Sequence, residues 1–518
     1  MYDGNSLFNN SLFLKAMIHI TIFSARSVKF IREYGVPLLF LLVYILFPTG
    51  NSTIDGWGYA EEIKYGYNLF RPHHLLYNAF GFMLIKTAHL FNLYPDVLST
   101  LKVLNAVTAA LILVTLGRIL LKMRLTTGER NLWLFFAGSS FGVWRFATEN
   151  EVYLLPILFS LAGSYCFLLF LHDNKAKNLA FSSVFASLAC LFHQLHIFWW
   201  LALLTGLLSK RTERRNILIY LSVAIIIPLT YMSVLFFYEK ASLTAGNIAS
   251  FVLHDYITGS AEASVDFRNL LLTPVSLFRT FFQLHGNILL LIREFPWLYG
   301  ILFISVTLAV SSLYMFRKIR LRTNPLYNTF FKIHLLAFSL HLLFAFFAHG
   351  NAEFMVVLVV IIPLLINQLF LFAPRALLLI SLSMFIWNFS FAIFPNYHFN
   401  FNNDEEVISF IRQHPEGLFI LKEKNIIANR YYYETGIPVG YRIYGYPLEK
   451  HLSGLCALQA DGIEIYSDLF SKKSPLSRAS LLEGKGDEHL EMIEEGIDRI
   501  PSFYGEFTID KVGVKCEK

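Results

Sequence analysis

Charge is what this sequence has least of. Asp, Glu, Lys and Arg make up 15% of its 518 residues, against 55% apolar residues, and the mean hydropathy is +0.51. A chain of that composition cannot cover itself with a water-facing surface, which excludes a soluble multidomain enzyme. Cysteine is scarce as well: of four, Cys166 and Cys190 lie inside apolar blocks, and Cys456 and Cys516 fall near the C-terminus. These make no disulfide framework, although the last two can pair if the tail lies in an oxidising compartment. Walker and GxGxxG loops, zinc-type Cys/His spacings, internal repeats and low-complexity tracts are missing. That removes nucleotide-driven transport and most soluble cofactor chemistry, so no cofactor is expected. The net charge of +6 comes from Lys and Arg gathered between apolar blocks rather than along one face, so nucleic acid is not an expected partner and the clusters read as topology signals.

What is present is a series of apolar blocks of about 15 to 24 residues, long enough to cross a hydrocarbon core of roughly 30 Å. The expected fold class is mainly α: a polytopic membrane protein of about eleven transmembrane helices with a small C-terminal extracytoplasmic α/β domain. The expected spans are 35–49, 99–121, 131–148, 152–171, 178–192, 196–209, 215–238, 297–316, 328–348, 354–372 and 376–394. The short spans on either side of His193 form two passes or one bent helix; the later basic clusters favour two. Residues 1–34 read as a cytoplasmic amphipathic leader with Lys15, Arg26, Lys29 and Arg32, too long before the first block and too poor in small residues for a removable signal. The clusters Arg118/Lys122/Arg124/Arg130, Lys175/Lys177, Lys210/Arg211/Arg214/Arg215 and Arg317/Lys318/Arg320/Arg322 mark every second connection and are expected in the cytoplasm. The transmembrane module then covers 35–395, with outer loops at 50–98 and 239–296. Within them Leu75–Phe91 reads as an interfacial helix, and the second loop as a mobile segment leading into a membrane-surface helix. A bacterial inner membrane is favoured, with the tail of 396–518 periplasmic. In that tail DEEVISFIRQH reads as a helix, GLFILKEKN as a strand and IPVGYRIYGYP as strand and turn.

Ionisable groups at span ends are costly, so each is a candidate for function, though helix-end groups also snorkel to water. Four groups fall on the outer side. The first holds Asp55, Glu62, Arg71, His73 and His74; Asp55 reads as a general base for an acceptor hydroxyl or as an N-cap. The second sets Arg145, Glu149 and Glu151 around a turn, where Glu151 also suits a helix N-terminus. In the third, FHQLH, His193 and His196 can share a helical face and hydrogen-bond a phosphate, or only backbone carbonyls. The fourth places His349, Asn351 and Glu353 in an outer turn. No spacing demands a metal. Together they imply a polar chamber out of reach of cytoplasmic nucleotides, whose activated donor arrives on a lipid phosphate.

An Asp after the first span, with Asp-x-x-x-Tyr spacing at Asp55 and Tyr59, resembles the C-type-fold (GT-C) membrane glycosyltransferases. The nearer likeness is to their protein O-mannosyltransferase-like group, through RPHHLLYN at 71–78, LKVLNAV at 101–107, ENEVYLL at 149–155 and the HQLH and GNAEF segments in order. It covers about residues 35–372. It departs where Asp55-Gly56 replaces an acidic pair and Pro72-His73-His74 replaces Pro-Pro-Gly. The resemblance implies inverting transfer from a polyprenyl-phosphate sugar to a hydroxyl on a protein, lipid or glycan, with Asp55 as catalytic base. It implies His74, His193, His196, Glu151, Glu353, Arg145 and Arg279 for donor phosphate or sugar, and Tyr59, Glu62, His73, His349 and Asn351 for the acceptor or pocket. The tail is expected to bind the acceptor or cap the chamber, without a part in the chemistry. The competing classes are a multispan transporter and a lipid-linked glycan polymerase or ligase.

Overall fold

The computed structural model describes residues 28–209, 213–258, 265–284, 287–317, 320–321, 328–371, 373–401, 403–440, 442–445, 448–471, 489–503 and 505–516. Most of the leader, and Lys210, Arg211, Lys318 and Arg322 of the basic clusters, lie outside the described residues. Helix α1 spans 28–46. It is followed by α2 (Ile54–Tyr65), α3 (Tyr77–Leu90), α4 (Val97–Lys122), α5 (Thr127–Ser139), α6 (Phe141–Ala147), α7 (Leu154–Asp173), α8 (Ala176–Phe192) and α9 (Ile197–Ser209). Next come α10 (Arg214–Ala224), α11 (Ile226–Ser233), α12 (Ala245–Val252), α13 (His254–Ile257), α14 (Asn269–Phe281), α15 (Asn287–Glu294), α16 (Leu298–Phe316), α17 (Asn328–Phe347), α18 (Leu358–Leu369), α19 (Pro374–Asn388) and α20 (Phe394–His398).

Six helical stretches among the described residues are long and apolar enough to cross a membrane: Val97–Lys122, Leu154–Asp173, Arg214–Tyr238, Leu298–Phe316, Asn328–Phe347 and Pro374–His398; three shorter apolar helices accompany them. Large side chains such as Leu42, Leu229 and Phe303 stay exposed on their outward faces, as helices do when their solvent is lipid. Inside, hydroxyls rather than charges join them: Ser305 Oγ donates to the Ser383 carbonyl and Ser312 Oγ to the Ala376 carbonyl, pinning α16 to α19. The expected single span at 131–148 is two helices. The chain turns extended at Ser140, whose hydroxyl bonds the Ala137 carbonyl while Asn388 bonds that of Ser139, so side chains take over from the broken ladder. Part of the expected mobile loop at 239–296 is helical, in α12 and α13; residues 259–264 lie outside the described ones.

Contacts set the direction of each pass. Helix α8 packs along α7 as its hairpin partner and returns His193 to the start of α7, where its ring lies 5.4 Å from Tyr153. Helix α9 then descends beside α7: His196 meets Ser160 and Trp199 meets Ser164. The segments around His193 are therefore two antiparallel helices joined by a 3-10 turn at Gln194–His196. Helix α17 climbs the same groove, with His334 on Ser164 and His341 beside His196, and delivers Glu353 to the end where α2 lies. Lys122, Lys175 and Lys177 fall at the opposite ends of α4, α7 and α8.

The C-terminal domain contains α21 (Asp404–Gln413), α22 (Lys424–Thr435), α23 (Leu452–Ala460) and a sheet. After two-residue strands β1 (Arg320–Leu321) and β2 (Phe370–Leu371) in the membrane module come β3 (Leu418–Ile420), β4 (Ile443–Tyr444), β5 (Ile465–Ser467), β6 (Leu490–Ser502) and β7 (Gly505–Val514). The five-stranded order is β4-β3-β5-β7-β6, parallel across β4, β3 and β5 and antiparallel beyond. Cys456 and Cys516 are disulfide-bonded, tying α23 to the end of β7.

Candidate active site at the head of helix α2

The site begins with how α2 starts. Thr53, not Asp55, is the N-cap: its hydroxyl accepts from Gly56 N at 2.9 Å and donates to Glu151 Oε1 at 2.9 Å. Asp55 is thus released from capping and lies in the first turn of the helix. The turn between α6 and α7 holds the other side. Asn105 of α4 donates to the carbonyls of both Glu149 and Glu151 at 2.8 Å, Asn150 Nδ2 donates to Gly56 O at 2.7 Å, and Tyr77 Oη donates to Asn150 Oδ1 at 2.8 Å. Asn105 and Asn150 act as staples that carry no charge into the bundle.

Around Asp55 the structure gathers four chain segments distant in sequence. Its electrostatic neighbours are Glu353, Arg71, His73 and Arg145. Arg145 Nη2 lies 3.3 Å from Glu353 Oε1, and Tyr153 Oη donates to Glu353 Oε2 at 2.9 Å. Arg71 pairs with Glu62 at 2.6 Å and lies 5.2 Å over the Tyr59 ring, while Asn78 donates to the other Glu62 oxygen at 2.6 Å. His73 Nδ1 is 2.7 Å from Asp255 of α13. His74 is fully buried, edge-on to Tyr59 at 4.9 Å, and neither of its nitrogens has a hydrogen-bond partner.

Burial dominates the ionisation of these groups. It raises the Asp55 carboxyl, reinforced by Glu353 and opposed by Arg71, His73 and Arg145. Glu151 rises well above the carboxylate range, again by burial first, then by Glu353 and Asp55. His74 is driven well below its ordinary value by burial and the nearby His73 and Arg71, and His193 falls to about 3 for the same first reason. Burial thus disfavours the protonated form of His74 and His193, so the positive charge beside them is carried by arginine.

That charge sits at a cavity. A space of about 240 Å³ is lined by Arg145, Arg279, Thr53, Glu149, Asn51 and Gln283 among others. Leu291 and Pro395 belong both to it and to a second, apolar space of about 300 Å³ lined by Phe295, Trp297, Phe389 and Phe399. The two spaces are neighbours with those residues in common. His349 and Asn351 are not part of the assembly: His349 faces Asp266, and Asn351 Oδ1 accepts from the Glu353 backbone at 2.9 Å, turning the chain so that Glu353 points inward. Among the described residues no group of three or more His, Cys, Asp or Glu could hold a metal ion.

The sequence reading missed Thr53, Tyr153 and the two imidazoles His341 and His334 that continue inward from His196. His341 and His334 sit mid-helix in apolar runs, where only their seven-residue spacing on one face hints at a shared line.

No protein-family model and no curated protein matches the chain. Among solved structures it is similar to ArnT from Cupriavidus metallidurans bound to undecaprenyl phosphate, with a TM-score of 0.47 and 11% identity over 94% of this chain and 98% of that one. It is also similar to the Archaeoglobus fulgidus oligosaccharyltransferase tethered with an acceptor peptide, with a TM-score of 0.39 and 10% identity over 85% and 70%. A third is the archaeal oligosaccharyltransferase AglB from Archaeoglobus fulgidus in complex with an inhibitory peptide and a dolichol-phosphate, at 0.38 and 12% over 84% and 69%.

Proposed function

We propose that the chain is a membrane glycosyltransferase that moves a sugar, with inversion, from a polyprenyl-phosphate donor to an acceptor hydroxyl on a protein, lipid or glycan. The observation that carries this reading is the pair of adjacent cavities with Leu291 and Pro395 in common. A chamber with Arg145 and Arg279 suits a phosphate, and the apolar space beside it suits an isoprenoid tail. Asp55 has Arg145 of that chamber among its electrostatic neighbours.

Asp55 accepts the acceptor hydroxyl proton as that oxygen attacks the anomeric carbon. The bond from that carbon to the phosphate oxygen breaks, its electrons leave with the lipid phosphate, and the proton held on Asp55 passes to the released phosphate or to water. The leaving group departs as an anion, so the larger task is to hold its charge, which falls to the two arginines. His74 and His193, with Glu151 and Glu353, orient sugar hydroxyls. Because this end of the bundle lies opposite Lys122, Lys175 and Lys177, the positive-inside rule puts the reaction on the extracytoplasmic face and the disulfide-bearing tail with it.

The test is consumption of radiolabelled undecaprenyl-phosphate hexoses and pentoses by inverted and right-side-out vesicles, with and without the chain. Chain-dependent transfer of label from lipid to acceptor supports the reading. Label that crosses the membrane with its lipid linkage intact identifies a transporter instead.

A further inference from the structure

We infer that the C-terminal domain belongs to the catalytic apparatus: Asn429 and Arg430 of α22 are positioning residues that fix the rotation of α2 and so the place of the Asp55 carboxylate. This rests on the glycosyltransferase reading above and goes beyond it, because the tail was expected only to meet the acceptor or cap the chamber.

Helix α2 is held from two sides. On the bundle side Thr53 and Gly56 are bonded to the turn at 149–151. On the other side lies α22, the helix with which α2 makes its most extensive packing. Asn429 Nδ2 donates to the Ile54 carbonyl at 3.1 Å, one residue from Asp55. Gly58 makes room for it: a Cβ there would lie 3.1 Å from Asn429 Nδ2. The Arg430 guanidinium lies 5.1 Å over the Trp57 ring and is itself fixed by Asp404 at 2.9 Å, Glu434 at 2.8 Å and Glu405 at 3.4 Å. Its own domain therefore neutralises the charge, and its flat face is left for the α2 tryptophan. At the far end of α2, Lys64 Nζ donates to the Tyr433 carbonyl at 2.6 Å, and Tyr433 Oη donates to Asp96 at the start of α4 at 2.5 Å. One helix of the tail thus grips both ends of α2 and anchors itself to a membrane-crossing helix.

A helix gripped at both ends cannot roll. A roll of about 15° would carry a carboxylate about 6 Å from the helix axis through roughly 1.5 Å, and misplacement on that scale costs on the order of 10²-fold in rate. Neither Asn429 nor Arg430 lines the cavities, so their effect on the reaction passes through α2.

The experiment uses the full chain in nanodiscs with a radiolabelled undecaprenyl-phosphate sugar and acceptor-containing membrane extract. In Asn429→Ala/Arg430→Ala, kcat is expected to fall about 10- to 100-fold. The donor KM should stay within about twofold, since the phosphate cavity is untouched, and the acid limb of the kcat profile should move as Asp55 leaves its neighbours. Arg430→Lys keeps the charge among its three carboxylates but not the planar fork, and is expected to fold as wild type with a smaller kcat loss. Wild-type kcat and an unmoved acid limb in the double variant, with the wild type active, overturn the positioning role alone. So does a lowered melting temperature whose whole effect is fewer active molecules at an unchanged pH profile. A wild type that consumes no lipid-phosphate sugar overturns the glycosyltransferase reading and the clamp with it.

Discussion

Replacing Asp55 by Asn separates chemistry from architecture at this site. The side chain keeps its size and loses its capacity to take up a proton. If Asp55 is the base, the rate should fall about 10² to 10⁴-fold, which at about 1.4 kcal/mol per tenfold is about 3 to 5.5 kcal/mol of transition-state stabilisation. Folding should not suffer. Asp55 does not cap α2, since Thr53 does, and its carboxyl is raised by burial and by Glu353. A raised folded-state pKa means that the ionised form is disfavoured in the native chain. The wild type therefore loses stability as pH rises through the ordinary carboxylate range, and Asn avoids that loss. At pH 7 to 8 the variant should melt at or above the wild-type temperature, and the two should converge under acid conditions. The assay is consumption of a radiolabelled polyprenyl-phosphate sugar from pH 5 to 9. The wild type should show an acid limb above the usual carboxylate range, and any residual activity of the variant should lack it. A variant expressed normally and transferring at the wild-type rate, or one retaining the same acid limb, refutes the assignment of Asp55 as base.

Three further outcomes are expected. Arg145→Ala removes a guanidinium that lines the phosphate cavity and holds the Asp55 carboxyl down; donor KM should rise about tenfold, the worth of one charge-assisted bond, and the acid limb should move to higher pH. Glu61 is buried on α2 with its carboxyl raised from 4.5 to about 7, chiefly by burial, so Glu61→Gln should raise the melting temperature at pH 8, with the gain fading as pH falls from 7 to 4.5; equal melting temperatures at pH 8 contradict it. The Cys456–Cys516 disulfide closes a loop with a sequence separation of 60, worth about 4 kcal/mol to the tail by chain entropy; thiol labelling of the denatured, unreduced chain should modify only Cys166 and Cys190, and four labelled cysteines would show that the bond does not form.

How far the site was legible depended on residue type. Asp55, Arg145, Glu151 and Glu353 could be singled out because charge near a membrane-crossing segment is expensive and needs a reason. Asn78, Asn105 and Asn150 fall inside the motifs RPHHLLYN, LKVLNAV and ENEVYLL, but they bear no charge, and those motifs by themselves gave them no role. His349 and Asn351 were drawn in by proximity to Glu353 in the chain, and the positive φ of 55° at His349 sends the segment around a corner that one-dimensional spacing does not reveal. Arg430 looked like one more cation on a polar tail helix; its meaning lies in the tryptophan it covers, more than 370 positions earlier.

Composition and apolar block length by themselves determined that this chain lives in a bilayer, because no arrangement of so few charges can face water. Basic clusters at alternate connections set which ends of the helices lie together, and the change of composition after about residue 396 marked a separate α/β unit. Only the tertiary structure decided that Thr53 frees Asp55 from capping, that His74 is buried without a hydrogen-bond partner, and that a tail helix holds α2. Those outcomes depend on dehydration and on distances between segments far apart in the chain, and local pattern carries neither.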